Sequence, residues 1–285
     1  MMQVMVYGAP LVIVGVFIWI VGEVLWKGVP QLSWEFLSEL PADSGRSGGI
    51  LSILISTVLI LLVSLGMALP LGLASGIWLA EFAPQRHKLA SSLSLLVDVL
   101  AGVPSIVFGL FGYAFFCLYL EFGYSILAGG LTLACMILPF FIKSAMSGLQ
   151  SLPIEWRQAG AALGMSRVSQ IWHVFLPHAV PMLFSGFMLA VGRAAGETAA
   201  LLFTSGYVTR MPSDLMDPGR ALTVHVYEMS MNVTGGESAA YGSATILLGT
   251  ILLVHILATH IERRFTPLGI HSSSELAKTA NPTAE

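Results

Sequence analysis

Long apolar stretches alternate with short polar ones along this chain. Six of the apolar stretches approach or exceed the length of a membrane span: approximately residues 5–26, 50–80, 92–120, 124–147, 178–204 and 241–261. A helix needs about 20 apolar residues to cross the hydrocarbon core of a bilayer. The pattern therefore predicts an all-α membrane protein, a polytopic helical bundle of about six transmembrane helices.

The second and third stretches are longer than a bilayer requires, so each is expected to tilt, bend or project beyond the membrane. Pro70 and Pro104 are the expected bend points, because proline removes a backbone donor. The connections at 27–49, 148–177 and 205–240 are too short for a soluble domain. We predict a first helix with its extracytoplasmic loop over 1–49, a membrane core over 50–265 and a disordered cytoplasmic tail over 266–285.

Composition agrees with a membrane protein, since 55% of the 285 residues are hydrophobic and only 10% are charged. Soluble domains carry roughly a quarter charged residues. The net charge is −3 and no basic run occurs, so a nucleic-acid partner is not expected. Cys117 and Cys135 both lie in apolar segments and are interpreted as small hydrophobic residues of the bundle.

Lysine and arginine positions predict the orientation of the chain. The positive-inside rule favours a cytoplasmic N-terminus, and with six spans a cytoplasmic C-terminus. This topology places eight basic residues inside: Arg86, Lys88, Lys143, Arg157, Arg167, Arg263, Arg264 and Lys278. It leaves four outside: Lys27, Arg46, Arg210 and Arg220. No basic residue precedes Lys27, so the first stretch is interpreted as a retained helix rather than a cleaved signal.

Motifs for covalent chemistry are missing from the sequence. It contains no G-x-x-x-x-G-K-[ST] loop for nucleotide, no H-E-x-x-H zinc motif and no G-x-S-x-G elbow. His255 and His260 lie five positions apart, which is off the i, i+4 spacing of two ligands on one helical face. We therefore predict a protein that is not an enzyme and binds neither a metal nor a cofactor.

Residues 153–177, "PIEWRQAGAALGMSRVSQIWHVFLP", form a mixed-charge segment in a chain that otherwise avoids charge. Pro153 suits the first turn of a helix, Gly164 interrupts the run, and Ser166 is a suitable cap for a second short helix. The segment predicts two short helices joined at a glycine on the cytoplasmic face. An ordinary interfacial loop is the alternative.

The same segment resembles the cytoplasmic loop of ABC importer permeases, whose pattern is E-A-A-x-x-x-G-x(9)-I-x-L-P. The matching positions are Gln158-Ala159-Gly160, Gly164 and 174–177. Gln158 replaces the acid, Gly160 the second alanine and Val174 the isoleucine. The resemblance implies the type I permease fold over 50–265. It also implies that Gln158, Ala159, Gly160 and Gly164 couple the chain to a separate ATPase.

Two further segments, "AGVPSIVFGLFG" (101–112) and "RAAGETAALLFTSG" (193–206), resemble the A-type permease of phosphate-specific ABC importers. That resemblance implies a subunit of an ATP-driven phosphate importer in the bacterial inner membrane. It implies as partners a second, C-type permease, a soluble phosphate-binding protein, and two ATP-binding subunits that use ATP and Mg²⁺. The alternatives are a sulfate or molybdate permease, and an ATP-independent channel or ion-coupled carrier.

Arg193 and Glu197 are the predicted substrate-pathway residues. They lie four positions apart in an apolar run, where a helix would place them on one face and allow an ion pair. Charged residues inside membrane spans usually face the bundle interior or a water-filled cavity. Arg193 would offer planar donors to a passing oxyanion, and Glu197 would hold the guanidinium when the pathway is empty. A structural salt bridge that fixes helix register is the alternative.

Gly102 and Pro104 are predicted to break the third span, so that backbone amides point at an anion near mid-membrane. A kink that only improves packing is the alternative. In the outer connection we predict one short amphipathic helix around 219–231. Arg210 and Arg220 there are candidate contacts for a soluble binding protein or for an anion.

Overall fold

The computed structural model describes residues 2–83 and 88–265, and the fold is helical over most of that length. The predicted tail over 266–285 lies outside the described residues. Five elements are long helices: α1 (Met2–Gly28), α3 (Leu51–Ile77), α6 (Ile126–Gln150), α9 (Leu176–Ala195) and α12 (Glu237–Phe265). Each belongs to a segment long and apolar enough to cross a bilayer.

The third predicted span consists of two helices at a sharp angle. α4 (Lys88–Ala101) and α5 (Ser105–Gly112) are bent by 100° at the Gly102–Pro104 break, and a π-helical segment, Tyr113–Tyr119, prolongs α5. Counting this pair as one span gives the six predicted spans. The predicted bend at Pro104 is confirmed, whereas α3 runs without interruption through Pro70.

Short elements connect the spans. After the first span, α1 leads through a 3₁₀ turn (Val29–Gln31) to α2 (Trp34–Ser38). A second 3₁₀ turn (Asp43–Gly45) separates β1 (Pro41–Ala42) from β2 (Ser47–Gly48), which pair antiparallel. The later short helices are α7 (Ile154–Ala162), α8 (Arg167–Gln170), α10 (Ala199–Leu202) and α11 (Leu222–Met231). Two more π-helical segments, Trp78–Phe82 and Ile171–Phe175, prolong α3 and join α8 to α9.

α6 lies at the centre of the bundle and packs against α3, α4, α5 and α9. Glycines allow the close approach: a Cβ added at Gly72 would lie 2.8 Å from the Phe141 ring, and one at Gly186 would collide with Ser144. Lipid supplies no hydrophobic drive between helices, so membrane helices associate through such small residues.

One predicted boundary is wrong. The fifth span is not a helix over 178–204, because α9 ends at Ala195 and α10 begins only at Ala199. The predicted short amphipathic helix is present as α11, with Tyr227 and Met231 on its exposed face. Leu222, Val224, His225 and Met229 on it are fully buried, since α11 packs between α12 and the outer end of α3.

Candidate functional site

The two segments that carry the resemblance are in contact. α5 packs against α10, and a Cβ added at Gly109 would lie only 2.9 Å from the Cα of Ala200. Val103, in the first helix break, packs against the buried cluster that contains Ala194 and Ala200. The break at 102–104 and the break at 196–198 are therefore brought close together, and this pair of breaks is the candidate substrate site.

The first break leaves backbone groups without helical partners. Gly102 and Pro104 are exposed on the surface of this chain, and Pro104 precedes the first turn of α5. The amides of a first helical turn have no acceptor within their own helix. The predicted broken helix is thus present, while the proposed contact of its amides with an anion stays a prediction.

Arg193 lies in the last turn of α9 and stacks on an aromatic ring. Its guanidinium carbon is 4.6 Å from the centre of the Phe140 ring on α6. Within the described part of the chain it forms no ion pair, and its buried Nε has no hydrogen-bond partner. The predicted ion pair with Glu197 is therefore wrong.

Glu197 instead accepts hydrogen bonds from residues other than Arg193. Its Oε1 accepts a hydrogen bond from the Ala200 amide at 3.2 Å, and its carbonyl accepts one from the Thr223 hydroxyl at 2.6 Å. The pairing fails because the helix ends between the two residues, so they no longer lie one turn apart on one face. Their assignment to the substrate pathway is a separate question and stays a prediction.

A cation–π contact and an ion pair leave a guanidinium in different states. The Phe140 ring centre lies 4.6 Å from the carbon of the Arg193 guanidinium, and a ring attracts the cation without acting as a carboxylate acceptor. A carboxylate would have occupied the in-plane N–H donors of the guanidinium. None of the described residues pairs with these donors in an ion pair, and the Nε among them is buried.

The segment 153–177, which we call the elbow, begins with two short helices, as predicted. Pro153 precedes α7, and the hydroxyl of Ser166 caps α8 by accepting from the Ser169 amide at 3.2 Å. Gly164 has φ +71° and ends α7. The amides of Met165 and Gly164 bind the carbonyls of Gly160 and Ala161, each at 3.0 Å, which is the Schellman arrangement.

Close packing explains why Gly160 occupies the position where the pattern has alanine. A Cβ there would lie 2.7 Å from the Cδ of Gln170, so glycine lets α7 approach the buried Gln170 side chain of α8. Gln158, Ala159 and Gly164 are exposed. Three of the four predicted coupling residues are therefore exposed on the surface of the elbow. The fourth, Gly160, is buried where α7 packs on Gln170 of α8.

Of the two arginines predicted for the outer surface, only Arg210 is exposed in this chain. It pairs with Asp217 at 3.1 Å. Arg220 is only 9% exposed and donates from Nε to the carbonyl of Tyr207 at 2.8 Å. Arg220 cannot contact a docking protein, because tertiary packing has buried it beneath the loop.

His225 lies beside Arg220, with its Nδ1 3.4 Å from an Arg220 Nη1. Its Nε2 is buried without a partner in the described residues. Burial, together with the nearby guanidinium, lowers the pKa of His225 from 6.5 to about 4. A second positive charge at this place would be both desolvated and repelled, so the imidazole is neutral at physiological pH.

This pKa shift predicts that the fold is destabilised by acid. Because the folded-state pKa is lowered, the unfolded chain binds the proton more readily, so stability is complete above pH 6.5 and falls as the pH drops toward 4. The total loss is about 3 kcal/mol. We expect the melting temperature of the purified protein to fall more between pH 7.5 and 5 than that of His225→Gln, which cannot titrate. Equal pH dependence in the two proteins would contradict the assignment.

Comparison with known proteins decides the family. Residues 72–267 match the model of the family described as "Binding-protein-dependent transport system inner membrane component". This chain belongs to that family. The permease is a multi-pass membrane subunit, and members of its family act with substrate-binding and ATP-hydrolysing partners.

Individual relatives of this chain are also transport permeases. The permease is 30% identical over 262 residues to the probable ABC transporter permease protein YqgI of Bacillus subtilis, covering 87% of this chain and 89% of that one. It is 31% identical over 241 residues to the phosphate transport system permease protein PstA of Pasteurella multocida, covering 84% and 85%. The PstA protein of Yersinia pestis is 31% identical, over 85% of this chain and 82% of its own.

Solved structures show the same fold at low sequence identity. The permease superposes on a chain of a bacterial ABC transporter involved in alginate import with a TM-score of 0.65 at 11% identity, covering 93% of this chain and 97% of that one. For the inward-facing methionine transporter MetNI the TM-score is 0.61 at 17% identity, covering 77% and 95%. The predicted type I importer permease fold is confirmed.

Three residues with structural roles near the predicted sites were not predicted from the sequence: Phe140, Glu81 and Arg157. Phe140 looks like any other apolar residue of its span, so no pattern marked it as the partner of Arg193. Glu81 and Arg157 form an ion pair across 76 positions of sequence. Glu81 directly follows the apolar stretch 50–80, and Arg157 lies in the mixed-charge segment 153–177, so their charge was the one signal available.

Proposed function

We propose that this permease is a subunit of an ATP-driven importer of inorganic phosphate. The observation that carries the proposal is the contact between the two helix breaks, with Arg193 at the end of α9 and its in-plane donors unoccupied. The curated relatives that span most of the chain include several PstA proteins, which supports phosphate as the substrate.

The chemistry of the site suits an oxyanion that must be released again. Arginine presents a planar fork of donors that matches tetrahedral oxyanions, and it stays charged at every physiological pH. The Phe140 ring stabilises the cation by about 1 kcal/mol. A strong ion pair would compete with the substrate, whereas this weak contact lets phosphate bind and leave.

We further propose that the permease pairs with a second, C-type permease and with two ATPase subunits. Four large apolar side chains of the cytoplasmic elbow are exposed: Ile154 (57%), Leu163 (79%), Val168 (55%) and Trp172 (60%). Apolar patches on parts that leave the membrane mark protein contacts. An ATPase docked there would cover this patch, with both chain termini on the cytoplasmic side and a soluble phosphate-binding protein on the outer side. ATP and Mg²⁺ would be bound by the ATPase and not by this chain.

Transport by the reconstituted complex tests the substrate. The permease is coexpressed with its partner subunits, purified and placed in liposomes with the binding protein and internal ATP. We expect ATP-dependent uptake of labelled phosphate, with little inhibition by excess sulfate. Uptake of sulfate or molybdate that equals or exceeds that of phosphate would refute the phosphate assignment. Uptake without ATP would indicate a channel or carrier instead.

Leu163 provides a test of the docking surface. Leu163→Glu adds a charge to an apolar contact without disturbing the chain itself, because 79% of the residue is exposed. We expect at least a roughly tenfold loss in the ATPase that copurifies with the permease, since a buried interface charge without a partner costs a few kcal/mol. The matched control is Leu40→Glu, at an outer-side leucine that is 51% exposed. Equal copurification of ATPase with both variants would contradict this docking surface.

A further inference from the structure

Arg157 belongs to α7 but points away from the surface that would meet an ATPase. Its side chain is 24% exposed and forms an ion pair with Glu81, whose side chain is only 9% exposed. The Nη2 group of Arg157 lies 2.6 Å from Oε1 of Glu81, and its Nε lies 3.4 Å from Oε2. We call Arg157 and Glu81 the inner ion pair.

The inner ion pair joins four parts of the bundle. Besides Glu81, Arg157 binds the carbonyls of Leu149 at 2.8 Å and Leu152 at 3.0 Å, at the inner end of α6. Its guanidinium carbon also lies 5.1 Å from the centre of the Phe175 ring, at the start of α9. One side chain thus connects α7 to the inner ends of α3, α6 and α9.

Glu81 receives a second contact from the cytoplasmic elbow. The Nη1 of Arg167, the first residue of α8, donates to the backbone carbonyl of Glu81 at 3.3 Å. Both short helices of the elbow therefore hold the same residue of α3's continuation. A half-buried guanidinium beside a nearly buried carboxylate is more than a solvated surface contact, because losing one partner leaves the other charge desolvated.

Arg157 contacts Glu81 and Phe175, and both of these residues lie in π-helical segments. Glu81 lies in Trp78–Phe82, and Phe175 ends Ile171–Phe175. π-helical turns are strained insertions in an α-helix and occur frequently at functional sites. The elbow is therefore attached at two places where the long helices change their winding.

The opposite end of α3 is attached to the outer connection. The Leu222 amide, at the start of α11, donates to the hydroxyl of Thr57 at 2.8 Å, and the Ser52 hydroxyl donates to the carbonyl of Thr209. From Thr57 to Glu81 the helix spans roughly 36 Å, which is more than the hydrocarbon core of a bilayer. α3 thus connects the elbow at one end with the connection 205–240 at the other.

We infer that the inner ion pair transmits movement between the cytoplasmic elbow and α3, and through α3 the outer connection. Arg157 and Glu81 are positioning residues in this assignment, since neither contacts substrate or nucleotide. The inference rests on the proposed coupling of the permease to separate ATPases, and it adds the residues through which the coupling passes.

The experiment compares Glu81→Gln and Arg157→Lys with wild type in the complete reconstituted complex. Labelled phosphate uptake and ATP hydrolysis are measured on the same liposomes. We expect the phosphate imported per ATP hydrolysed to fall about tenfold in both variants, a typical coupling effect between sites. Lysine keeps the charge but lacks the planar fork that binds the carboxylate and both carbonyls. Glu81→Asp is expected to retain more of the wild-type ratio than Glu81→Gln.

The control is Asp98→Asn. Asp98 on α4 and Lys143 on α6 form a 2.6 Å ion pair that does not involve the elbow, with 53% and 40% of these side chains exposed. Its uptake per ATP should equal that of wild type. An unchanged ratio in Glu81→Gln would overturn the inference. It would also be overturned if uptake and hydrolysis fell together with the amount of assembled complex, because that result indicates a structural role alone.

A second measurement separates this inference from the choice of substrate. Stimulation of ATP hydrolysis by the binding protein, added with the ligand it retains on purification, passes from the outer face to the ATPase and needs no transport assay. If wild type hydrolyses ATP but imports no phosphate, the proposed substrate is wrong. The inner ion pair is then judged by the stimulation alone, which we expect Glu81→Gln to abolish and Asp98→Asn to preserve.

Discussion

Arg193→Gln is expected to reduce phosphate uptake by roughly 100-fold while leaving the assembled complex at its normal level in the membrane, since losing a desolvated charge contact costs a few kcal/mol. Glutamine keeps part of the side-chain length and some donor capacity, but it carries no positive charge to attract an oxyanion. Assembly should survive, because Arg193 forms no ion pair or hydrogen bond that the described bundle depends on. The measurement is ATP-dependent uptake of labelled phosphate per assembled complex.

The matched control is Arg46→Gln. Arg46 is also an arginine of this permease, but it is exposed and its Nε donates to the carbonyl of Asp43 at 3.4 Å. We expect its uptake to stay within about twofold of wild type, as for most exposed substitutions. Normal uptake in Arg193→Gln would remove Arg193 from the pathway and leave it the role of a residue that packs on Phe140.

Gly109→Val is expected to destabilise the permease by about 3 kcal/mol and to abolish most of its transport. A Cβ at this position would lie 2.9 Å from the Cα of Ala200 and 3.2 Å from the carbonyl oxygen of Ala199. These are backbone atoms, so α10 itself would have to move away from α5. The two helix breaks would then separate, and the site between them would be lost.

Gly66→Val separates this steric effect from the general cost of valine in a helix. Gly66 lies in α3, and a Cβ there meets nothing within 4 Å. Intrinsic helix propensity even favours valine slightly over glycine. Melting temperature and uptake should therefore be near wild type in Gly66→Val and low in Gly109→Val. Similar values for the two variants would show that the α5–α10 contact does not control the site.

The helices were predictable because a span in lipid must satisfy its backbone hydrogen bonds internally, which a helix does. The side chains of that helix face lipid or other helices, so the sequence shows an apolar run of about 20 residues. The break at 102–104 was predictable because Gly102 and Pro104 occur together there, whereas proline alone does not interrupt α3 at Pro70. The end of α9 was not, because the apolar run continues through Ala199–Leu202 and hydropathy does not record where a helix stops.

The partners of the charged residues could not be predicted either. Arg193 and Glu197 have the spacing of an ion pair, yet the chain ends its helix between them. Arg220 lies in a polar loop, and only tertiary packing buries it under Tyr207. Glu81 and Arg157 are joined by the way α3, α6 and α7 meet at the inner face. In each case the contact depends on distant parts of the chain, which a local pattern does not contain.

The packing of α1 has a consequence for how the protein is made. This helix packs mainly on α12: its Lys27 approaches the Tyr241 hydroxyl at 3.3 Å, and its Val24 carbonyl accepts from the Thr245 hydroxyl at 3.2 Å. Ribosomes deliver the N-terminal end first, so α1 enters the bilayer long before α12 exists. During that interval lipid must solvate it, which its apolar surface permits, and the bundle closes only when the last span has been inserted.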